Sequence, residues 1–349
     1  MPPRTDRPRG RDLGTPIDRN LALELVRVTE GAAISAARFM GRNQKEEADG
    51  AAVDSMRRSL GHVDMDGVVV IGEGEKDEAP MLFIGEHVGN GNEPLVDVAV
   101  DPIDGTRLVA RGLPGGIATV ALAERDSMYF THVPYMEKLI VGPKAAKVID
   151  ITDTVANNLR RIARAEERSI EDLTVVVLDR DRHDKLLSDI RQAGARVKLI
   201  MDGDVAAGAM AAMEHRTGID ALMGIGGAPE AVLAACAIKC VGGGMQGRLW
   251  FRGESDREMA RGEGKQGAHE VLELNDLCSG ENVFFAATGI TDGELLAGVR
   301  FLGEEKASTH SLVMRSYTGT VRYVEAEHSL QRLRKRAALT APPEGFFPG

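Results

Sequence analysis

The sequence predicts an α/β protein with an open sheet, and two observations carry that prediction. Between residues 67 and 124 the hydrophobic period is that of strands, in GVVVIG (67–72), MLFIG (81–85), LVDVAVD (95–101) and IATVALAE (117–124). From about residue 153 onward helical and strand patterns alternate, which is the βαβ rhythm of an open sheet. In such sheets ligands bind beyond the carboxyl ends of the strands, so the residues at those ends matter most for function.

Taken in order, residues 1–18 are rich in Pro, Arg and Gly and read as a disordered arm. Asp18 fits the N-cap of a helix over about 19–40, with Leu21, Leu25, Val28, Ala32 and Phe39 on one side and Gly41 as its stop. A second helix follows near 49–60. After the four strands, YMEKLIVGP (135–143) closes a first α/β domain spanning 19–150. Helices at about 153–166, 182–193 and 204–214 then precede TVVVLD (174–179), RVKLIMD (196–202) and IDALMGIG (219–226), with a further helix at about 229–240. The charged region 253–285 reads as partly helical and exposed. Strands at 309–316 and 320–329 finish a second domain over 151–335, and 336–349 is a loose tail. There is no internal repeat.

Composition narrows the function. The chain has 349 residues, enough for two domains, and 43% are hydrophobic. A formal charge of −10 and only 4% aromatics argue against a nucleic-acid surface. Cys236, Cys240 and Cys278 are too sparse for a disulfide framework, and the first two sit four apart on a helix as buried residues. With no run of 18 apolar residues and no N-terminal apolar segment, a soluble cytoplasmic protein with no membrane partner is expected.

Acids gather at three strand ends. The first is Ile71-Gly-Glu73-Gly-Glu75-Lys-Asp-Glu78. It lacks the third glycine of a dinucleotide loop, and its charge would repel a pyrophosphate; a solvated hairpin tip is the competing reading. The second is Asp101-Pro-Ile-Asp104-Gly105-Thr106. Three extended residues span at most roughly 10 Å, and a turn at Pro102 shortens that, so both carboxylates can point at one spot. At about 4 Å they would repel by roughly 4 kcal/mol at an effective dielectric of 20, and a divalent cation reverses that sign. Gly105 lets backbone approach a ligand, and the following amides suit an anion. The third comprises Met201-Asp202-Gly203-Asp204 and Gly224-Ile-Gly-Gly227-Ala-Pro-Glu230, each leading into a small-residue helix. Glu230 and Asp204 could also serve only as helix-start acids. Hard oxygen donors without histidine spacing point to Mg²⁺ or Mn²⁺, not zinc. Arg180 and Arg182, after another strand, offer cations for a second anionic group or are surface charges starting a helix.

These residues resemble the class II fructose-1,6-bisphosphatases, members of the lithium-sensitive, metal-dependent sugar-phosphatase superfamily. The likeness covers about residues 19–330 and rests on KEEADGAAVDSMR (45–57), VVIGEGEKDEAPML (69–82), DVAVDPIDGTRL (97–108), YMEKLIVGP (135–143), DGDVAAG (202–208), GIGGAPEAV (224–232) and ENVFFAATGIT (281–291). It implies a layered α/β/α/β/α fold with two mixed-sheet subdomains. It implies Asp49, Glu73, Asp101, Asp104 and Glu230 as metal ligands; many members carry Glu at the position of Asp104. Asp104, Gly105 and Thr106 would hold the scissile phosphate. Tyr135, Arg180, Asp181, Arg182, Asp202, Gly203, Asp204 and Gly227 would contact the rest of the substrate. Thr106 with Asp49 or Glu75 would position or activate the nucleophile. Asn43-Gln44-Lys45 departs from the more usual Gly-Asp-Lys. Asp204 is placed on the sugar, although inositol monophosphatases use an Asp before Val-Ala-Ala-Gly for metal. The implied reaction is hydrolysis of the 1-phosphate of fructose 1,6-bisphosphate, a step of gluconeogenesis, by a homodimer or homotetramer. An inositol-monophosphatase-like enzyme, a broader bisphosphatase taking sedoheptulose 1,7-bisphosphate, and a non-catalytic phosphate-binding regulator are the alternatives.

Overall fold

Helix α1 (Leu21–Ala37) buries Leu21, Leu25, Val28 and Ala32, the residues that recur at helical spacing. The structure, a computed structural model, describes residues 21–73, 82–265, 270–333 and 335. The expected arm (1–18), the Asp18 cap, the tail (336–349) and Glu75 lie outside the described residues. The elements that follow are α2 (Lys45–Leu60), β1 (Asp66–Ile71), β2 (His87–Val88), β3 (Leu95–Asp104), α3 (Thr106–Arg111), β4 (Ile117–Glu124), β5 (Tyr135–Val141) and α4 (Val155–Ala165). Next come β6 (Thr174–Leu178), α5 (Asp184–Ala193), β7 (Arg196–Ile200), α6 (Asp204–Ala212), α7 (Glu214–Thr217), β8 (Ala221–Gly227) and α8 (Ala228–Val241). The chain finishes with β9 (Gly244–Trp250), α9 (Glu254–Gly262), β10 (Leu272–Glu273), α10 (Leu274–Leu277), β11 (Phe284–Gly289), β12 (Arg300–Phe301), β13 (Lys306–Arg315) and β14 (Thr320–Ser329).

The strands form two mixed sheets. An eight-stranded sheet runs β12-β13-β11-β4-β3-β1-β2, with β14 also on β13, and a six-stranded sheet runs β10-β9-β5-β8-β6-β7. The chain crosses between them more than once: β5 joins the second sheet, and β11 to β14 complete the first. Helices α1 and α2 cover the outer face of the first sheet, α4 and α5 that of the second, and α6 and α8 lie between the two. This is the α/β/α/β/α layering that the motifs implied.

The middle layer explains its own composition. A helix between two sheets is buried all round, and α6 (DVAAGAMAA) and α8 (APEAVLAACAIKCV) are apolar on every side and made mostly of small residues. A Cβ on Gly208 would lie 3.2 Å from Ala234 Cβ and 3.1 Å from Ile140 Cδ1, so larger side chains would force the helices and sheet apart. Strand β3 serves both layers by alternation: Val98 and Val100 pack toward α1 and α2, whereas Ala99 packs toward α8. Continuing that alternation turns Asp101 toward the middle layer.

Three local expectations need correction. In MLFIG the described residues 82–85 are not a strand; Leu82 makes one isolated bridge with Glu73, and the chain turns at Gly85 with φ +89°. Glu86, buried beside Arg57, accepts from the Phe83 amide and fixes that turn. Second, β3 runs past Asp101 to Asp104, with a register shift between them that tolerates Pro102. Third, β9 and β11 are strands that the sequence pattern does not reveal. GMQGRLW contains two glycines and two polar residues. FFAATG is buried at every position, and such a short apolar run has no period that separates strand from helix.

Candidate active site

The second sheet presents one functional edge. The carboxyl ends of β6, β7, β8 and β9 and the start of β5 lie along it, because β6, β7 and β8 are parallel and β5 runs antiparallel to β8 and β9. From the first sheet, the end of β3 meets this edge where α6 begins: Asp104 Oδ2 accepts from the Ala206 amide at 3.0 Å. The carboxylate thus satisfies a donor at the start of a middle-layer helix. Gly203 completes the junction in the left-handed region (φ +85°); a Cβ there would lie 3.6 Å from Gly115 O and 3.8 Å from Asp104 Oδ2. The residues 202–204 expected to bind sugar therefore pack directly on those expected to bind phosphate.

At the end of β3, Asp101 Oδ1 accepts from the Ile103 amide at 3.0 Å, an Asx-type turn that aims its carboxylate. Gly105 follows with φ +91°, and Thr106 opens α3. The Thr106 hydroxyl donates to Ile103 O at 3.2 Å, and Asp49, which α2 brings in, lies close enough for that hydroxyl to lower its pKa slightly. Glu73 lies two residues past the end of the neighbouring strand β1, in an isolated bridge with Leu82. Glu230, in the first turn of α8 beside Pro229, arrives from the second sheet.

The five acids proposed as metal ligands sense one another. Burial raises Asp101, followed by the charges of Asp104, Glu73 and Glu230. Burial also raises Asp104, followed by Asp204, with Glu230 contributing further. Glu73 is pushed up to about 7, by desolvation first and then by Asp49 and Glu230, although it is the exposed member of the set. Asp49 rises to about 6, mainly by burial, against the pull of Lys45. Glu230 is raised by burial and then by Asp204. Like charges that raise one another in a partly buried site favour a cation among them. Glu230 Oε2 is buried and has no hydrogen-bond partner among the described residues, the condition expected of a carboxylate oxygen suited to a metal. The donor set, all carboxylate oxygen, fits a hard divalent ion. Among the described residues no three His, Cys, Asp or Glu side chains draw close enough to form a finished metal cage.

Asp204 differs from its neighbours. Its Oδ2 lies 2.6 Å from the Lys138 ammonium, and both side chains are nearly inaccessible, at 9% and 1% exposure. A protein-borne cation therefore already answers this carboxylate, which supports a place on the sugar side. The glycines of GIGGAPE make the arrangement possible. A Cβ on Gly226 would collide with Asp204 Oδ2 and lie 3.0 Å from Lys138 Nζ. A Cβ on Gly227 would collide with Glu230 Oε2. Gly227 thus leaves the space that the Glu230 carboxylate occupies.

The cationic end gathers around Tyr135. The Arg182 guanidinium donates to Ile225 O at 2.7 Å and stands 5.4 Å from the centre of the Tyr135 ring. Arg180 Nη2 is 3.9 Å from Asp202 Oδ1. Burial raises Asp202, and Arg180 opposes it. Asp181 is exposed, and its side chain makes no hydrogen bond or ion pair among the described residues. His183 is a structural pin: its Nδ1 faces Leu178 O and its Nε2 accepts from the Ile225 amide, both at 2.7 Å, which joins the ends of β6 and β8.

Sequence reasoning missed Lys138 and the Ala206 amide. Lys138 had a signal, since in YMEKLIV it shares a face with Met136 and Ile140 by strand alternation, and a lysine on an apolar face needs a buried partner. The amide had none, because its acceptor lies 102 residues away.

Comparison with known proteins agrees with this geometry. Residues 19–328 match the family model described as bacterial fructose-1,6-bisphosphatase, glpX-encoded. The chain is 45% identical over 336 residues to a Synechococcus sp. (strain JA-2-3B'a(2-13)) protein named D-fructose 1,6-bisphosphatase class 2/sedoheptulose 1,7-bisphosphatase, covering 89% of this chain and 96% of the relative. It is 44% identical over 326 residues to fructose-1,6-bisphosphatase 1 class 2 of Escherichia coli (strain K12), covering 90% and 96%. The chain belongs to the class II, glpX-encoded family of bacterial fructose-1,6-bisphosphatases.

Proposed function

We propose that this protein hydrolyses the 1-phosphate of fructose 1,6-bisphosphate with the help of Mg²⁺ or Mn²⁺. The observation that carries the reading is Glu230 Oε2, buried without a hydrogen-bond partner among the described residues and set among acids that raise one another's pKa. Asp49, Glu73, Asp101, Asp104 and Glu230 would hold the metal. When bound, the metal supplies positive charge that offsets the phosphate and the departing alkoxide. The backbone amides of Gly105 and Thr106 would hold phosphate oxygens. The Thr106 hydroxyl and the Asp49 carboxylate would orient the attacking water, and Asp49 would take up its proton. Water oxygen bonds to phosphorus as the bond to O1 breaks; O1 takes up a proton, leaving fructose 6-phosphate and inorganic phosphate. Residues 19–150 would supply the metal and scissile-phosphate groups, apart from Glu230, and residues 151–335 the sugar-side groups, apart from Tyr135. Tyr135, Arg180 and Arg182 would anchor the distal phosphate, a task suited to bidentate guanidinium. Asp202, Gly203 and Asp204 would face the sugar, with Asp181 and Gly227 at the rim.

The same reading includes a homodimeric or homotetrameric enzyme of the cytoplasm. No helix among the described residues is long and apolar enough to cross a membrane. The test is phosphate release from fructose 1,6-bisphosphate, sedoheptulose 1,7-bisphosphate and inositol 1-phosphate with Mg²⁺ or Mn²⁺. The heptose belongs in the panel because the Synechococcus relative's name includes it. Turnover of bisphosphates and not of inositol 1-phosphate is expected. Preference for inositol 1-phosphate would overturn the reading.

A further inference from the structure

We infer that Arg252 is a third arginine of the distal-phosphate subsite and that Asp256 is its positioning residue. The inference rests on the bisphosphatase reading above and extends it to a side chain with no role in the sequence motifs.

The placement follows from the second sheet. Strand β9 lies beside β5 on the side away from β8, with Trp250 paired to Tyr135 and Gly227 paired to Tyr135 from the other side. Arg252 leaves β9 just past that pair. Arg182 comes from beyond β6 and reaches back across β8 to Ile225 O. The two guanidinium groups therefore approach Tyr135 from opposite flanks, Arg182 at 5.4 Å and Arg252 at 5.2 Å from the ring centre. Trp250 meets the same ring edge-on at 5.9 Å, which limits where the tyrosine can turn.

Arg252 is held in a fixed orientation. Its backbone amide and Nε donate to Asp256 Oδ2 at 2.9 and 3.1 Å, and its Nη2 donates to Oδ1 at 3.1 Å. Asp256 is 3% exposed in its side chain whereas Arg252 is 56% exposed, so the carboxylate is an internal post and the guanidinium faces outward. Nη1 has no protein acceptor among the described residues and is the edge of the fork available to a ligand. A long side chain ordinarily loses rotamer freedom when it captures an anion, and the forked pair removes part of that cost in advance. Its place over Tyr135 also gives the guanidinium a cation–π contact that helps hold it there.

The chemistry selects a dianionic phosphate ester at the end of the substrate remote from the metals. Arg252 should therefore distinguish substrates with a second phosphate from those without one. The experiment compares fructose 1,6-bisphosphate with fructose 1-phosphate, using wild type, Arg252→Gln, Arg252→Ala and Asp256→Asn under saturating Mg²⁺. Arg252→Gln retains a donor for Asp256, so that α9 stays anchored if the alanine variant is poorly folded. Both Arg252 variants should raise KM for the bisphosphate about tenfold, the usual scale for losing a hydrogen bond to a charged group. Their kcat should stay within about twofold, and KM for fructose 1-phosphate should not move. Asp256→Asn should give a smaller rise in the same KM alone. Equal changes with both substrates, or no change in Arg252→Gln, would overturn the role of Arg252. An unselective effect of Asp256→Asn would reduce Asp256 to a structural residue. If wild type turned over neither substrate, the bisphosphatase reading itself would fail, a result distinct from loss of selectivity.

Discussion

Single atoms decide this site. Glu230 Oε2 is buried without a hydrogen-bond partner among the described residues, so Glu230→Gln should weaken Mn²⁺ binding and cut kcat by at least about 100-fold, more than is typical for residues that only contact a metal's ligands. Steady-state rates and Mn²⁺ titration on the same protein check this. Gly227→Ala should reach a similar endpoint by a different route, because the new methyl would displace the Glu230 carboxylate. Lys138→Met leaves the Asp204 carboxylate buried and unpaired, which should cost about 3–5 kcal/mol of stability, whereas replacing both partners by apolar residues should cost less. Denaturant unfolding of the single and double variants measures the difference. At this scale the sequence was legible where chemistry is local. Asp101, Asp104, Gly105 and Thr106 are one contiguous motif at one strand end. Asp49 and Glu230 were placed by family likeness, since nothing in their own neighbourhoods shows that they meet. Lys138 and Ala206 act through contacts 66 and 102 residues away.

Among the elements, the middle layer is the demanding one. Helices α6 and α8 touch each other and both sheets, so their small residues are a packing requirement as well as a propensity. Ala234→Leu should destabilise by about 1–3 kcal/mol through overpacking and lower activity, because α8 carries Glu230 and α6 receives Asp104. A shift in the urea midpoint with an unchanged slope would be the expected record. Alternation of period 2 and 3.6 made most strands and helices readable. It failed where burial on both faces erased the period, as in β11, and where glycines diluted it, as in β9. It also overread MLFIG, whose described residues 82–85 enter a turn fixed by Glu86 and Arg57.

For the whole molecule, charge links folding to metal. Glu73 and Asp49 carry folded-state pKa values near 7 and 6, above their ordinary 4.5 and 3.8. A raised carboxyl contributes stability that is fully present below its unfolded pKa and is lost as pH rises through the folded value. Asp101, Asp104 and Glu230 are displaced in the same direction. In chelator, Tm should therefore fall as pH rises from about 5.5 to 7.5, and saturating Mg²⁺ should remove most of that slope. Glu263 acts in the opposite direction and in another window. Partial burial pushes it up, but hydrogen bonds from Lys265, the His132 amide, Thr131 and the His132 ring outweigh this and hold it at about 2. Its contribution is present above its ordinary 4.5 and disappears as pH falls toward 2, so it does not mask the neutral-pH trend.

Mn²⁺ titration of the metal-free protein at pH 7, followed by calorimetry in buffers of different ionisation enthalpy, tests the central claim most directly. Saturable binding that releases protons, and that weakens in both Asp101→Asn and Glu230→Gln, is the predicted result. Binding with no proton release, unaltered by either substitution, would show that these carboxylates do not share a cation.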